Sequence, residues 1–314
     1  MSRSQRQVFG ETLAELAATD PRVVVLDGDL ATSTRADIVA EQAPDAFVQV
    51  GIAEQNMVGM AVGMATSGYV PWLSTFGVFL THRAVDQVRM LVSQTRLPVR
   101  VVASYAGLLN GRTGKTHQDV EDLAIMRAMP HMTVLAPADE HEAEAIIRWA
   151  ADHDGPVYLR LARDAVTPVF EAGHVFSPGR AYVVREAPDG AEVTLVSTGT
   201  QTTRVLAAAD LLATRGIATR VLHLPTIKPL DEAGFLSLLD ESLVVAVEEH
   251  SVLGGLGGLV CELTSTHAPR RVVRIGLADG WAESAPDHFL LDRYGLSAER
   301  VAEQVEAALV VVPA

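Results

Sequence analysis

Glu54 lies in the stretch GIAEQNM, residues 51–57, after the apolar run AFVQV and ahead of VGMAVGMATSG, a helical pattern of small residues and methionines. A carboxylate in such surroundings is short of water, so it needs a partner or must take up a proton. It could transfer protons; it could equally be an ordinary acid in the first turn of a helix, where the macrodipole favours it. A second polar loop, LLNGRTGKTHQD at 108–119, gathers Arg112, Lys115, Thr116, His117 and Gln118. It is not a phosphate-binding P-loop, because Gly111 and Gly114 are only three apart and the spacing Gly-x-x-x-x-Gly-Lys-Ser/Thr is missing. His117 in such a loop is either a hydrogen-bonding group of a site or, more commonly, a structural residue. A third loop, LDGDLATSTR at 26–35, carries Asp27, Gly28 and Asp29.

Loops so far apart in sequence must be gathered by a scaffold. RQVFGETLAELAATD has apolar positions at helical spacing, and VVVLD after it predicts a buried strand. The alternation recurs through GYVPWLSTFG, THRAVDQVRMLVSQT, PVRVVASYAG, DVEDLAIMRAM, MTVLAPAD, EHEAEAIIRWAADHDG and PVYLRLAR. Short β-rich runs between amphipathic helices predict a mainly parallel sheet covered on both faces, with ligands held outside the carboxyl ends of its strands. From about Pro168 the pattern changes, and 169–190 reads as a connector leading to an edge hairpin. A second α/β unit follows, with strands predicted in AEVTLVSTGT, IATRVLHLPTI, SLVVAVEEHS and RRVVRIGLAD. The expected fold class is α/β, in two domains, 1–168 and 191–314, each a mainly parallel sheet covered by helices.

The 314 residues carry 39 acidic and 25 basic side chains, a formal charge of −14. That balance argues against nucleic acid or an anionic membrane surface as partner, so any anionic substrate must be met by locally placed arginines. No run is apolar and long enough to span a bilayer, and MSRSQRQVFG lacks the apolar core of a signal peptide, so the expected location is cytoplasmic. The single cysteine, Cys261, excludes an internal disulfide and is expected as a packed core thiol.

The succession GIAEQNM, STFGVFLTHRAVDQVRM, TGKTHQDVEDLAIMRAMP, APAD, GPVYLRLAR and VAVEEHSVLGGLG resembles the transketolase family of thiamine-diphosphate enzymes, in the family's order and over nearly the whole chain. The likeness is to the second half of a transketolase, the pyrimidine-binding domain and the C-terminal domain. The half that holds the metal and the diphosphate has no counterpart, and Asp27–Gly28–Asp29 lacks the asparagine expected downstream in such a site. The resemblance therefore implies one subunit of a split enzyme, using thiamine diphosphate with Mg2+ or Ca2+ held by a separate N-terminal transketolase subunit, and no metal ligand of its own.

By the same resemblance, Glu54 matches the glutamate that shares a proton with N1' of the cofactor's aminopyrimidine, a task suited to a buried carboxyl. Phe76 and Phe79, with His82 where relatives place an aromatic, would form the ring pocket. Arg6, Ser33 and Arg163 match residues that bind the phosphate of a sugar, and forked, permanently charged guanidinium groups suit that task. Arg160, on the strand before Arg163, is a further candidate anion ligand. His117 matches the histidine that hydrogen-bonds the donor sugar. Tyr105 and Thr113 stand where standard members carry a histidine and an aspartate; with Arg112 and Lys115 they make the substrate loop more positive than the family pattern. The implied activity is transfer of a two-carbon ketol unit between ketose and aldose substrates, in an assembly with self-association across the pyrimidine-binding domain. A 1-deoxyxylulose-5-phosphate synthase-like or E1 β-like subunit, or a catalytically silent scaffold, are the alternatives.

Overall fold

A computed structural model describes residues 2–310. Six strands arise first along the chain: β1 (Val23–Asp27), β2 (Phe47–Gln49), β3 (Val70–Phe76), β4 (Arg100–Ser104), β5 (Thr133–Leu135) and β6 (Val157–Leu161). They pair in parallel in the order β5-β6-β4-β3-β1-β2. Every residue of β1, β3, β4, β5 and β6 is buried. Continuous Val, Leu and Ala runs serve such strands because helices cover both faces. One face packs on the helix Gln5–Thr19 and on Glu140–Asp152, the other on the helix Glu54–Thr66.

The second sheet contains β7 (Tyr182–Arg185), β8 (Val193–Ser197), β9 (Thr219–His223), β11 (Leu243–Ser251) and β12 (Val272–Leu277), in the order β12-β11-β8-β9-β7. The chain thus forms two α/β domains with mainly parallel sheets flanked by helices. The predicted run IATRVLHLPTI divides at Leu224–Pro225: its last two residues, with Lys228, form β10 (Thr226–Lys228), which leaves the second sheet and pairs antiparallel with β5 at the edge of the first. Proline has no N–H for a continued ladder, and the break lets one strand stitch the domains together.

Three other local expectations are corrected. The predicted edge hairpin is a single edge strand: β7 pairs antiparallel with β9, not with β8, its neighbour in sequence. The expected regular helix after β3 is a π-helical turn at Phe79–Arg83, a short α-helical piece at Val85–Gln87 and a second π-helical stretch at Val88–Ser93. Cys261, on the helix Leu256–His267, is only half-buried. The outer limits expected for the domains, 1 and 314, lie outside the described residues, among which no helix is long and apolar enough to cross a membrane.

Candidate active site

The first sheet delivers its polar loops to one end because its strands run parallel, and the loops leave from their carboxyl ends. Phe76 closes β3 and Tyr105 follows β4; Arg163 follows β6, Ser33 lies in the one-turn helix Ala31–Thr34 after β1, and Glu54 starts the helix after β2. Tyr105 stacks on Phe76 with centroids 4.2 Å apart, and Phe76 stacks on Phe79 at 6.0 Å. His117 meets both phenylalanines edge-on, at 6.0 and 5.4 Å, and its Nδ1 lies 2.8 Å from the Thr116 hydroxyl, which leaves Nε2 for another partner. Tyr105 has φ 58°, a left-handed conformation that costs a non-glycine residue on the order of 1 kcal/mol or more. Its fixed ring and hydroxyl hold it there.

Around that hydroxyl a basic corner forms. Arg6 Nη1 donates to Tyr105 Oη at 2.8 Å and to the Ser33 carbonyl at 2.7 Å, while Arg6 Nε donates to the Arg163 carbonyl at 2.9 Å. The Arg163 guanidinium lies 5.6 Å from the Tyr105 ring centre. Its Nε is buried with no hydrogen-bond partner among the described residues, and its nearest carboxylates, those of Asp164 and Asp287, are 3.9 and 4.0 Å away. Arg6 thus ties together the Ser33 carbonyl, the Tyr105 hydroxyl and the Arg163 carbonyl, which come from three elements distant in sequence.

Glu54 is buried, 1% exposed, and both its oxygens accept from Arg83 Nη1, at 2.7 and 2.8 Å. The Arg83 guanidinium lies 4.3 Å over the Phe79 ring, which joins the carboxylate to the aromatic cluster. Sequence reasoning missed Arg83, although it stands four residues after Phe79 in a motif already singled out. A regular helix is the default reading of that segment; a π-helical turn changes which residue faces Glu54.

The other candidates sit differently. Arg160 is buried inside the protein, donating to Asp122 Oδ2 at 2.8 Å and to the Glu249 carbonyl at 2.8 Å, so its guanidinium is engaged away from solvent. Thr113 is exposed and donates its hydroxyl to the Asn110 carbonyl at 2.6 Å, while Arg112 and Lys115 are also exposed. The segment 283–287 of the second domain braces this loop: Asp287 accepts from Gly111 N at 3.0 Å, and Ser284 donates to the Arg112 carbonyl at 2.6 Å. Asp27 accepts from Gln49 and from Leu30 N, both at 2.9 Å, which closes the loop after β1.

His82 faces two acids, Asp119 at 3.9 Å and Glu121 at 3.8 Å, and the Glu121 carboxylate raises its pKa above the ordinary histidine value. Burial, with Asp122 close by, pushes the Asp119 carboxyl up to about 8. An unfolded aspartate loses its proton near pH 4. Between those values the folded state holds the extra proton, so Asp119 makes stability fall as pH rises through that window. The amide of Asp119→Asn has no proton to lose. Its melting temperature is therefore expected to gain on the parent's steadily from about pH 5 to pH 8; a constant difference across that range would contradict the assignment.

Two family descriptions match the sequence: "Transketolase, pyrimidine binding domain" over residues 2–168 and "Transketolase, C-terminal domain" over 179–301. The chain belongs to the transketolase family. A Methanocaldococcus jannaschii protein provisionally named a transketolase C-terminal section is 38% identical over 306 residues, covering 96% of this chain and 95% of that one. The 6-deoxy-6-sulfo-D-fructose transketolase subunit of Clostridium sp. (strain MSTE9) is 36% identical over 297 residues, covering 94% of this chain and 91% of its own. A solved structure described as a split gene transketolase, inactive β4 tetramer, superposes with TM-score 0.89 at 40% identity, covering 99% of both chains. This transketolase-family chain thus aligns nearly end to end with proteins that are themselves sections or subunits of transketolases.

Proposed function

We propose that the chain is the C-terminal subunit of a heteromeric, thiamine-diphosphate-dependent transketolase that moves a two-carbon ketol unit between anionic ketose and aldose substrates. The observation that carries this reading is the convergence of Arg6, Ser33, Tyr105 and Arg163 beside the Phe76–Phe79–His117 cluster and Glu54. The residues present fit the aminopyrimidine half of the cofactor: aromatic faces for a planar ring and a buried carboxylate for a ring nitrogen. Among the described residues the one group of three candidate metal ligands is His82, Asp119 and Glu121. It mixes imidazole with carboxylates, unlike the all-oxygen sets that suit Mg2+ or Ca2+, which supports assigning the ion and the diphosphate to the partner subunit.

When bound, thiamine diphosphate supplies the electron sink needed to break and remake a carbon–carbon bond. Glu54 holds or releases a proton at the ring nitrogen, and His117 Nε2 is the donor or acceptor left for a substrate oxygen. Arg6 and Arg163 hold the terminal anion, which the name of the Clostridium relative suggests can be a sulfonate as well as a phosphate. Gly59 and Gly63 on the exposed side of the helix Glu54–Thr66 have open space where a Cβ would stand, which supports a close contact with another copy. The solved tetramer supports the same idea, and the reading that this chain without its partner is an inactive self-assembly.

Arg163→Ala tests the substrate assignment. A hydrogen bond to a charged group contributes roughly 1.5–3 kcal/mol. The expected result in the assembled enzyme is a KM about 10- to 100-fold higher for phosphorylated or sulfonated aldoses, with neutral aldoses little changed. Equal loss for charged and neutral substrates would remove Arg163 from the anion site.

A further inference from the structure

We propose that Arg83 is the positioning residue of Glu54, fixing the direction of its carboxylate toward the cofactor ring. This rests on the reading of Glu54 as the proton-transfer group. Three independent features support it. Among the described residues Arg83 is the one hydrogen-bond partner of the Glu54 carboxylate, and a single Nη1 reaches both oxygens, at 2.7 and 2.8 Å. The contact is locked from the other side, because Gln55, next on the same helix, donates its amide to the Arg83 carbonyl at 3.0 Å. The π-helical turn Phe79–Arg83, closed by Ala84 N donating to the Phe79 carbonyl at 3.1 Å, inserts one residue relative to an α-helix and turns Arg83 toward Glu54 and over the Phe79 ring. Such π turns recur at functional sites.

Two chemical consequences follow. The Arg83 guanidinium supplies a counter-charge to a carboxylate that is only 1% exposed. Each carboxylate oxygen also retains a lone pair beyond the one used by Nη1, so a ring N–H can still be accepted while Arg83 stays in place. Arg83 is 44% exposed at its side chain, which an ordinary surface ion pair would share. What distinguishes a positioning role is its coupling to Glu54.

The test uses the chain assembled with its diphosphate-binding subunit and measures two quantities: the dissociation constant for thiamine diphosphate, and exchange of the cofactor's C2 proton for deuterium at saturation. Arg83→Met is expected to slow exchange about 10- to 100-fold, with the dissociation constant changed by less than about fivefold. Arg83→Lys should recover part of the rate, and Arg83→Met should add nothing in a Glu54→Gln background. Undiminished exchange in Arg83→Met overturns the proposal. So does cofactor binding that tightens more than about tenfold, because Arg83 would then be a plug competing with the ring for Phe79. If Glu54→Gln itself leaves exchange unchanged, the reading of Glu54 fails first.

Discussion

Glu54→Gln in the assembled enzyme is expected to lose ketol transfer by about a hundredfold or more while keeping its fold. An amide has the shape of the carboxylate and can still sit against Arg83, whose Nη1 donates to both Glu54 oxygens in the parent. It cannot take up or give back the proton. The helix Glu54–Thr66 keeps its start, because Glu54 adds a charge in the first turn and not a side-chain cap. Circular dichroism and melting temperature should therefore stay near those of the parent, while turnover and C2-proton exchange fall together. A variant with normal exchange would take Glu54 out of the chemistry.

Arg160→Met should cost about 3–5 kcal/mol of stability, the effect of removing one partner from a buried ion pair. Arg160 lies within β6, next to its last residue; its loss would leave the fully buried Asp122 carboxylate with only the Tyr158 hydroxyl, which donates at 2.7 Å, and would orphan the Glu249 carbonyl. The melting temperature should drop by on the order of 10 °C. Asp122→Asn in the same background should regain part of the loss, since a buried amide is cheaper than a buried unpaired charge. Were Arg160 an anion ligand instead, the variant would melt near the parent and show a raised KM for charged substrates only.

That contrast shows what the sequence reveals and what it hides. Arg160 and Arg163 look alike in GPVYLRLAR, yet one lies within the strand among buried partners and the other just beyond its end, where loops gather. Only the pairing of Asp122 and Glu249 with β6 separates them, and those partners lie 38 and 89 residues away. The buried strands of the first sheet were legible because VVVLD and RVVAS carry unbroken apolar runs, Val23–Leu26 and Val101–Ala103, as doubly covered parallel strands do. The helix Gln5–Thr19 was legible from its apolar spacing. Three features were not. β10 leaves the second sheet to pair with the sequence-distant β5, β7 chooses β9 over β8 through pairing distant in sequence, and the π-helical turn that presents Arg83 packs against the Glu54 helix. Local pattern carries the existence of elements; it does not carry their non-local partners or an inserted residue in a helical turn.

The loop at 108–119 follows the same lesson. Its glycines and charges mark a site loop, but its brace comes from the second domain. Glu249 accepts from Leu108 N at 2.9 Å and Leu109 N at 3.2 Å, and the 283–287 segment holds the other end. The C-terminal domain thus shapes the loop that carries His117, although none of the candidate site residues lies within it.

The most direct measurement is reconstitution. The purified chain, supplied with thiamine diphosphate and Mg2+, is assayed alone and again after mixing with a transketolase N-terminal subunit from the same organism, and products of ketose and aldose phosphates are read by mass. The account predicts no turnover by the chain alone and two-carbon transfer in the mixture, abolished when the mixed-in chain carries Glu54→Gln. Ketol transfer by the isolated chain, or a mixture whose activity is indifferent to Glu54, would contradict it.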